Sequence, residues 1–112
     1  MSSTARPVLE RVADVAELPP GSLKAVTLAS GERVCLVNVD GKVHALSNVC
    51  THQEFAMSDG ALLPGGVIEC AWHGARFDCR TGAVKRFPAT DPLPVYAVKI
   101  EDGVIWVGAR VR

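Results

Sequence analysis

The sequence predicts an all-β fold, a small antiparallel β-barrel or sandwich built from one domain of 112 residues. Five glycine-containing turn signals lie between residues 26 and 107, and short apolar or β-branched runs flank each of them. Within these runs the side chains alternate with a period close to two, as they do along a strand. The turns follow one another so closely that no room remains for a long helix, which is typical of small barrels and sandwiches.

Pairs of predicted strands flank the turns, at residues 26–29 with 32–36, 34–39 with 42–47, 62–63 with 67–70, 76–78 with 83–86, and 95–101 with 104–107. Asp40-Gly41 and Asp102-Gly103 are typical of two-residue hairpin turns, because both residue types tolerate the positive φ that such turns need. In the last hairpin, alternate residues are expected to face opposite sides of the sheet.

One short helical turn is predicted at residues 14–18, where Asp14 can cap the turn and Glu17 follows three residues later. Residues 88–94 contain three prolines and are predicted to form a stiff loop. No repeat, low-complexity segment or linker divides the chain. A single domain over residues 1–112 is therefore expected.

Charge and hydropathy narrow the classes of function. Twelve Lys and Arg residues balance twelve Asp and Glu residues, which argues against a protein that binds nucleic-acid phosphates. The longest run without a charged residue, 43–53, has 11 residues, too few to cross a bilayer. The first residues lack the apolar segment of a signal peptide, so we expect a soluble, cytoplasmic protein. In that reducing compartment the four cysteines are expected to be metal ligands or buried thiols rather than disulfides.

Two Cys/His pairs form the motif that carries chemistry. Cys50 and His52 have the spacing C-x-H, Cys70 and His73 have the spacing C-x-x-H, and 17 residues separate His52 from Cys70. Both spacings together are expected by chance only about 0.01 times. Zinc accepts two thiolates and two imidazoles, although its motifs usually group Cys with Cys. A [2Fe-2S] cluster also accepts them, with two thiolates on one iron and two imidazoles on the other.

The chain resembles the Rieske iron–sulfur family in the motif Cys50-Thr51-His52, followed by Cys70-Ala71-Trp72-His73-Gly74 and Phe77-Asp78. The similarity covers residues 8–107 and is strongest to the ferredoxins of bacterial aromatic-ring-hydroxylating dioxygenase systems. It implies the Rieske fold, a β-barrel base with a cluster-binding subdomain formed by loops at residues 48–58 and 70–78. It also implies one [2Fe-2S] cluster per chain, with Cys50 and Cys70 on the buried iron and His52 and His73 on the outer iron.

The resemblance also implies a function. High-potential Rieske proteins place hydroxyl donors after the second histidine and join the two loops by a disulfide. This chain has Ala75 and Phe77 at the donor positions and no additional cysteine in the loops. With fewer donors the reduced cluster is less stabilised, so a low potential is expected. The expected function is one-electron transfer from an NAD(P)H-dependent flavoprotein ferredoxin reductase to a terminal aromatic-ring dioxygenase.

The chain is not expected to be an enzyme, because the sequence offers no ligand triad for a second, mononuclear iron. Two alternatives to a ferredoxin stay open. One is a Rieske small subunit of a larger reductase, such as a nitrite reductase. The other is a zinc-stabilised interaction module, in which the same four side chains would hold a structural ion.

Most side chains outside the two pairs are expected to have structural roles. Cys35 is interpreted as a buried structural thiol, and Cys79 as a partly exposed thiol in a turn that is not a ligand. His44 is interpreted as a structural residue of a strand, and Trp106 as a core residue. Three cations are expected on a solvated face: Arg76, Lys85 and Arg86. Three apolar residues near the histidines are expected to form a docking patch for partners: Phe55, Met57 and Trp72.

Overall fold

The computed structural model of the protein describes residues 9–50, 56–71, 74–86 and 91–111. Within them the strands are β1 (Glu10–Asp14), β2 (Leu23–Thr27), β3 (Arg33–Val39), β4 (Lys42–Ser47), β5 (Ala61–Leu63), β6 (Val67–Glu69), β7 (Arg76–Asp78), β8 (Val84–Arg86), β9 (Val95–Glu101) and β10 (Val104–Arg110). Two 3₁₀ turns cover Val15–Glu17 and Met57–Asp59. The predicted all-β class is confirmed. No helix in these described ranges is long and apolar enough to span a membrane.

The strands form two antiparallel sheets. The base sheet has the order β1-β10-β9-β4-β3-β2, and the insert sheet has the order β5-β6-β7-β8. The Ala29 amide, just after β2, donates hydrogen bonds to both carboxylate oxygens of Glu10 in β1, at 3.0 and 2.9 Å. This contact joins the two edge regions of the base sheet, which is therefore a nearly closed barrel. The insert sheet lies in the chain between β4 and β9.

Two hairpins of the base sheet have the turns that the sequence predicts. Asp40 and Gly41 connect β3 to β4 with φ of 53° and 95°, and Asp102 and Gly103 connect β9 to β10 with φ of 53° and 75°. Positive φ at both central residues gives the turn a twist that matches the right-handed twist of the strands. These two dipeptides therefore set the register of both hairpins.

The first predicted strand is shifted along the chain. The sequence predicts residues 26–29, whereas β2 spans Leu23–Thr27. The Leu28 amide donates to the Glu32 carbonyl at 2.9 Å, so the turn already begins at Leu28. β1 was not predicted from the sequence, and the remaining strands, β3 to β10, begin and end within three residues of their predicted bounds.

The helical turn predicted after β1 is present as a 3₁₀ turn over Val15–Glu17. The Asp14 amide donates a hydrogen bond to Glu17 Oε2 at 3.0 Å, which satisfies a donor at the start of the turn. Leu18 ends the turn and is fully buried. The turn therefore anchors the chain between β1 and β2 to the core.

Two apolar cores lie on opposite faces of the base sheet. The base core consists of Ala13, Leu18, Leu28, Val34, Leu36, Val43, Ala45, Tyr96, Ile105 and Val107. The junction core consists of Cys35, Val37, Leu46, Cys50, Met57, Ile68, Cys70, Ala75, Phe77, Cys79, Leu93 and Val95. Along β3, Val34 and Leu36 enter the first core, whereas Cys35 and Val37 enter the second. Because both faces of β3 are covered, residues 34–37 within it form a continuous apolar run.

The junction core joins the two sheets. Leu46 of β4 and Val95 of β9 pack in it with Ile68 of β6 and Phe77 of β7. Ile68 and Phe77 are fully buried, and burying a side chain of this size contributes about 1.5–3 kcal/mol. The insert sheet is therefore held against the base sheet by apolar packing.

Trp106 lies in neither core, and the expectation of a core tryptophan is wrong. It is only half-buried. In the strand register, Trp106 of β10 is opposite Arg11 of β1 on one side and Lys99 of β9 on the other. The inward positions of β10 belong to Ile105 and Val107. Since side chains alternate along a strand, Trp106 faces the outer side of the sheet.

Candidate metal centre

The first predicted metal loop leaves the end of β4. Asn48 is buried, and its side-chain Oδ1 accepts a hydrogen bond from the Ser58 amide at 2.8 Å. Val49 and Ala56 form an isolated antiparallel bridge. These contacts bring the two ends of the loop together. They place Cys50 at the base of a closed loop.

The second predicted metal loop connects β6 to β7 and is closed in a similar way. The Cys70 amide donates a hydrogen bond to the Ala75 carbonyl at 2.7 Å. Arg76 Nε donates to Glu69 Oε2 at 2.8 Å, so an ion pair lies beside this backbone bond. Gly74 has a φ of 72°, a conformation that glycine adopts readily. A tight turn therefore follows the second Cys/His pair.

The stems of the two loops lie next to each other. A Cβ atom at Gly60, just after the first loop, would overlap the backbone carbonyl of Glu69, just before the second loop. Cys50 and Cys70 are 3% and 1% exposed, and both belong to the junction core. The fold therefore brings the two predicted thiol ligands into one buried cluster.

The two predicted imidazole ligands, His52 and His73, lie outside the described residues. Across 9–50, 56–71, 74–86 and 91–111, no group of three or more His, Cys, Asp or Glu is arranged to hold a metal ion. The thiols Cys50 and Cys70 are thus the described half of the predicted centre.

The surroundings of the thiols fit a group without net charge. Among the described residues, the buried polar side chains are Asn38 and Asn48, and no charged side chain is buried. A [2Fe-2S] centre with two thiolate and two imidazole ligands is neutral when oxidised, because the ferric, sulfide and thiolate charges cancel. A neutral group avoids most of the cost of placing a charge in an apolar core. Zinc with the same ligands is also neutral, so burial alone fits both groups.

Two positions near the second loop lack polar side chains. Ala75 and Phe77 are fully buried in the junction core, the cluster that also contains Cys70. Met57, expected in a surface docking patch, is also fully buried there. That expectation is wrong for Met57, because the 3₁₀ turn directs its side chain inward. Phe55 and Trp72 lie outside the described residues.

The remaining cysteines are both buried thiols, as expected for Cys35 but not for Cys79, for which partial exposure was expected. Cys35 is fully buried in β3, and Cys79 is 1% exposed although it follows β7 in a turn. Burial raises the pKa of Cys35 to about 12, with a smaller contribution from Cys79. Burial and the nearby Asp78 raise the pKa of Cys79 to about 12. Neither thiol is therefore poised to ionise, and no disulfide joins any of the four cysteines, all of which are described.

His44 belongs to β4 and to neither of the two predicted ligand loops. It lines a cleft of about 260 Å³ between the sheets, together with Lys42, Asp78 and Arg80. Burial and the Lys42 charge are the main causes that lower its pKa below the ordinary value. His44 is therefore a neutral strand residue near neutral pH, as expected for a structural role.

Three features of the site were not singled out from the sequence. They are the Asn48 side chain, the close approach at Gly60, and the ion pair between Glu69 and Arg76. Opposite charges that flank the second loop at positions 69 and 76 are a signal that could have indicated the pair. Arg76 was expected on a solvated face and is only half-exposed, whereas Lys85 and Arg86 are exposed as expected.

Comparison with known proteins identifies related chains. The family described as Rieske [2Fe-2S] domain matches residues 9–97. The chain is 41% identical over 91 residues to the biphenyl dioxygenase ferredoxin subunit of Pseudomonas sp. (strain KKS102), which covers 81% of this chain and 83% of that protein. It is 38% identical over 94 residues to the ferredoxin component of the p-cumate 2,3-dioxygenase system of Pseudomonas putida, covering 84% and 77% of the two chains.

Solved structures share the fold over almost the whole chain. The Sphingomonas yanoikuyae B1 ferredoxin has a TM-score of 0.82 and 38% identity, covering 94% of this chain and 100% of that one. The ferredoxin fold also matches a chain in a complex of reduced oxygenase and oxidized ferredoxin in carbazole 1,9a-dioxygenase, with a TM-score of 0.86, 28% identity and coverage of 94% and 98%. A protein described as the small subunit of an NADH-dependent nitrite reductase from Mycobacterium tuberculosis has a TM-score of 0.83, 27% identity and coverage of 96% and 98%. The family match and these relatives are consistent with the buried thiol pair, Cys50 and Cys70. This chain therefore belongs to the Rieske [2Fe-2S] domain family.

Proposed function

We propose that this protein is the ferredoxin component of an aromatic-ring dioxygenase system and performs no catalysis itself. It carries single electrons from an NAD(P)H-dependent flavoprotein ferredoxin reductase to a terminal oxygenase. The observation that carries the proposal is the pair of buried thiols, Cys50 and Cys70, in a chain whose relatives are ferredoxin subunits of dioxygenases. Because NAD(P)H supplies the electrons, we place this activity in the cytoplasm.

The proposed ligands divide by side-chain type. Cys50 and Cys70 hold the inner iron from within the junction core, and His52 and His73 hold the outer iron. Their loops span residues 48–58 and 70–78 of a single domain, 1–112. When bound, the [2Fe-2S] cluster supplies reversible one-electron chemistry.

The described residues around the thiols support a low reduction potential. Ala75 and Phe77 are fully buried and cannot donate hydrogen bonds through their side chains. Hydrogen bonds to the cluster sulfurs stabilise the additional negative charge of the reduced form. Their absence at these two positions favours a potential in the lower part of the Rieske range, which extends from about −150 to +300 mV.

The interaction with the oxygenase is supported by a neighbour. The ferredoxin of carbazole 1,9a-dioxygenase forms a complex with its oxygenase, and this chain shares its fold. Complexes between electron-transfer proteins are transient and have small interfaces. The chain therefore needs only a limited contact surface near its two loops.

The test is reconstitution with purified components. Anaerobically purified protein should contain two iron and two inorganic sulfide per chain and give an electron paramagnetic resonance signal when reduced, with mean g below the free-electron value. A flavoprotein reductase of a biphenyl dioxygenase system with NADH should reduce it, and the matching oxygenase should reoxidise it. Colourless protein with one zinc ion per chain would contradict the proposal and select the interaction module.

A second candidate is the small subunit of a nitrite reductase. It is favoured by the structural match to such a subunit from Mycobacterium tuberculosis. Size-exclusion chromatography of cell extract separates the two functions. A ferredoxin elutes alone at about the mass of the chain, 11.9 kDa, whereas a subunit elutes with a larger catalytic protein.

A further inference from the structure

An ion pair spans the second metal loop from stem to stem. Glu69 is the last residue of β6, Arg76 is the first residue of β7, and the two are directly opposed in the strand register. Arg76 Nε lies 2.8 Å from Glu69 Oε2, and the two side chains are 38% and 27% exposed. Both charges are therefore partly removed from solvent. In this partly buried position they affect neighbouring groups more strongly than they would on a fully exposed surface.

The Glu69 carboxylate also lies against the loop itself. Its Oε2 is 3.7 Å from the position that a Cβ atom would occupy on Gly74. Gly74 directly follows His73, and Glu69 directly precedes Cys70. The carboxylate thus stands beside the segment that carries two of the proposed ligands.

The pair belongs to a row of charges across the insert sheet. In the strand register Glu69 is opposite Arg76, and Arg76 is opposite Arg86 of β8. Arg86 is exposed and forms no ion pair with any described residue. Like charges directly opposite each other repel, so Glu69 is the group that balances the cationic end of this row.

We propose that Glu69 and Arg76 are positioning residues that set the reduction potential of the centre by balancing the charge beside its second loop. The inference rests on the proposed function, because it requires the centre to be bound by Cys70 and His73. Reduction adds one negative charge to the centre. Arg76 without its partner favours that added charge, whereas Glu69 without its partner disfavours it.

A purely structural role for the pair leads to a different outcome. If the ion pair only holds the loop closed, either single variant loses that contact equally. The reduction potentials of both variants would then change in the same direction. Charge balance instead predicts shifts of opposite sign. It also predicts that removing both charges together restores a potential near that of the wild type.

The experiment measures midpoint potentials of the intact holoprotein by spectroelectrochemical titration at one ionic strength. The variants are Glu69→Gln, Arg76→Gln and the double variant, with iron per chain determined for each. We expect a higher potential for Glu69→Gln, a lower one for Arg76→Gln, and a potential close to wild type for the double variant. The matched control is Glu101→Gln, since Glu101 pairs with Lys99 at 3.6 Å in the base sheet and should leave the potential unchanged.

Shifts of the same sign in both single variants, or unchanged potentials, would overturn the inference. If both glutamine variants fail to retain iron, Arg86→Gln decides, because Arg86 lies in the same row without forming the pair. Arg86→Gln should lower the midpoint potential relative to the wild type, because it removes a positive charge from the row, and an unchanged potential would refute charge balance. Wild-type protein lacking iron and sulfide would instead refute the proposed function, which distinguishes the two failures.

Discussion

Gly60 lies against the backbone of Glu69 so closely that a Cβ atom at position 60 would overlap the Glu69 carbonyl oxygen. Gly60 ends the 3₁₀ turn that follows the first metal loop, and Glu69 ends the strand that leads into the second. The contact joins the stems of the two loops. Only a residue without a side chain permits this approach, so position 60 controls how the loops meet.

The first prediction follows from this contact. Gly60→Ala should push the two stems apart and destabilise the holoprotein by about 1–3 kcal/mol, the usual cost of overpacking. Iron content per chain should fall with it. Thermal unfolding followed by circular dichroism, together with iron analysis, measures both effects. Ala61→Ser is the control, because Ala61 is the next residue and is exposed; a Gly60→Ala protein indistinguishable from it would contradict the role of the contact.

The second prediction separates ligand from structural cysteines. Cys70→Ser should abolish the visible spectrum, because it removes a thiolate ligand of the proposed centre. Cys79→Ser should retain the spectrum, although Cys79 is as fully buried as Cys70, with each 1% exposed. The ratio of absorbance in the visible bands to protein concentration gives the result for both variants. Bleaching by Cys79→Ser would show that the ligand assignment is wrong.

The third prediction concerns the missing hydroxyl donors. Ala75→Ser and Phe77→Tyr should each raise the midpoint potential, because a new donor stabilises the reduced form. A net hydrogen bond of about 1 kcal/mol corresponds to about 40 mV for one electron. Ala45→Ser provides a control of equal burial in the base core, since Ala45 and Ala75 are both fully buried. Potentials that do not differ from this control would refute the hydrogen-bond argument.

The fourth prediction is a pH dependence of stability. The pKa of His44 is lowered from its ordinary value of 6.5, mainly by burial and then by Lys42. As the pH falls, His44 therefore binds a proton at a higher pH in the unfolded chain than in the folded chain. The stabilisation is complete above about pH 6.5 and is lost as the pH falls from there toward the folded pKa.

The difference between wild type and His44→Gln isolates this effect. Melting temperatures of both proteins are measured between pH 7.5 and 5.5, in the same buffer. The wild type should lose more stability than the variant on the acid side, because only the wild type carries the titrating imidazole. Parallel curves for the two proteins would mean that His44 titrates with the same pKa in the folded and unfolded states.

Local signals in the sequence were sufficient for the hairpin turns and for most strands, although β1 was not predicted. Asp40-Gly41 and Asp102-Gly103 set two turns by their tolerance of positive φ, and this preference acts within the dipeptide itself. The 3₁₀ turn over Val15–Glu17 depends on Asp14 and Glu17, which are also close in sequence. The spacing of Cys50, His52, Cys70 and His73 likewise indicates a metal centre without any knowledge of the fold.

By itself, then, the sequence determined the all-β class, the hairpin turns, the candidate ligands and the resemblance to the Rieske family. The tertiary structure decided which side chains meet across sheets: it buried Met57, turned Trp106 outward, and placed Gly60 on Glu69. Periodicity assigns a residue to one face of a strand, but it does not state what covers that face. That depends on how the insert sheet packs on the base sheet, and such long-range contacts leave no mark in the local sequence.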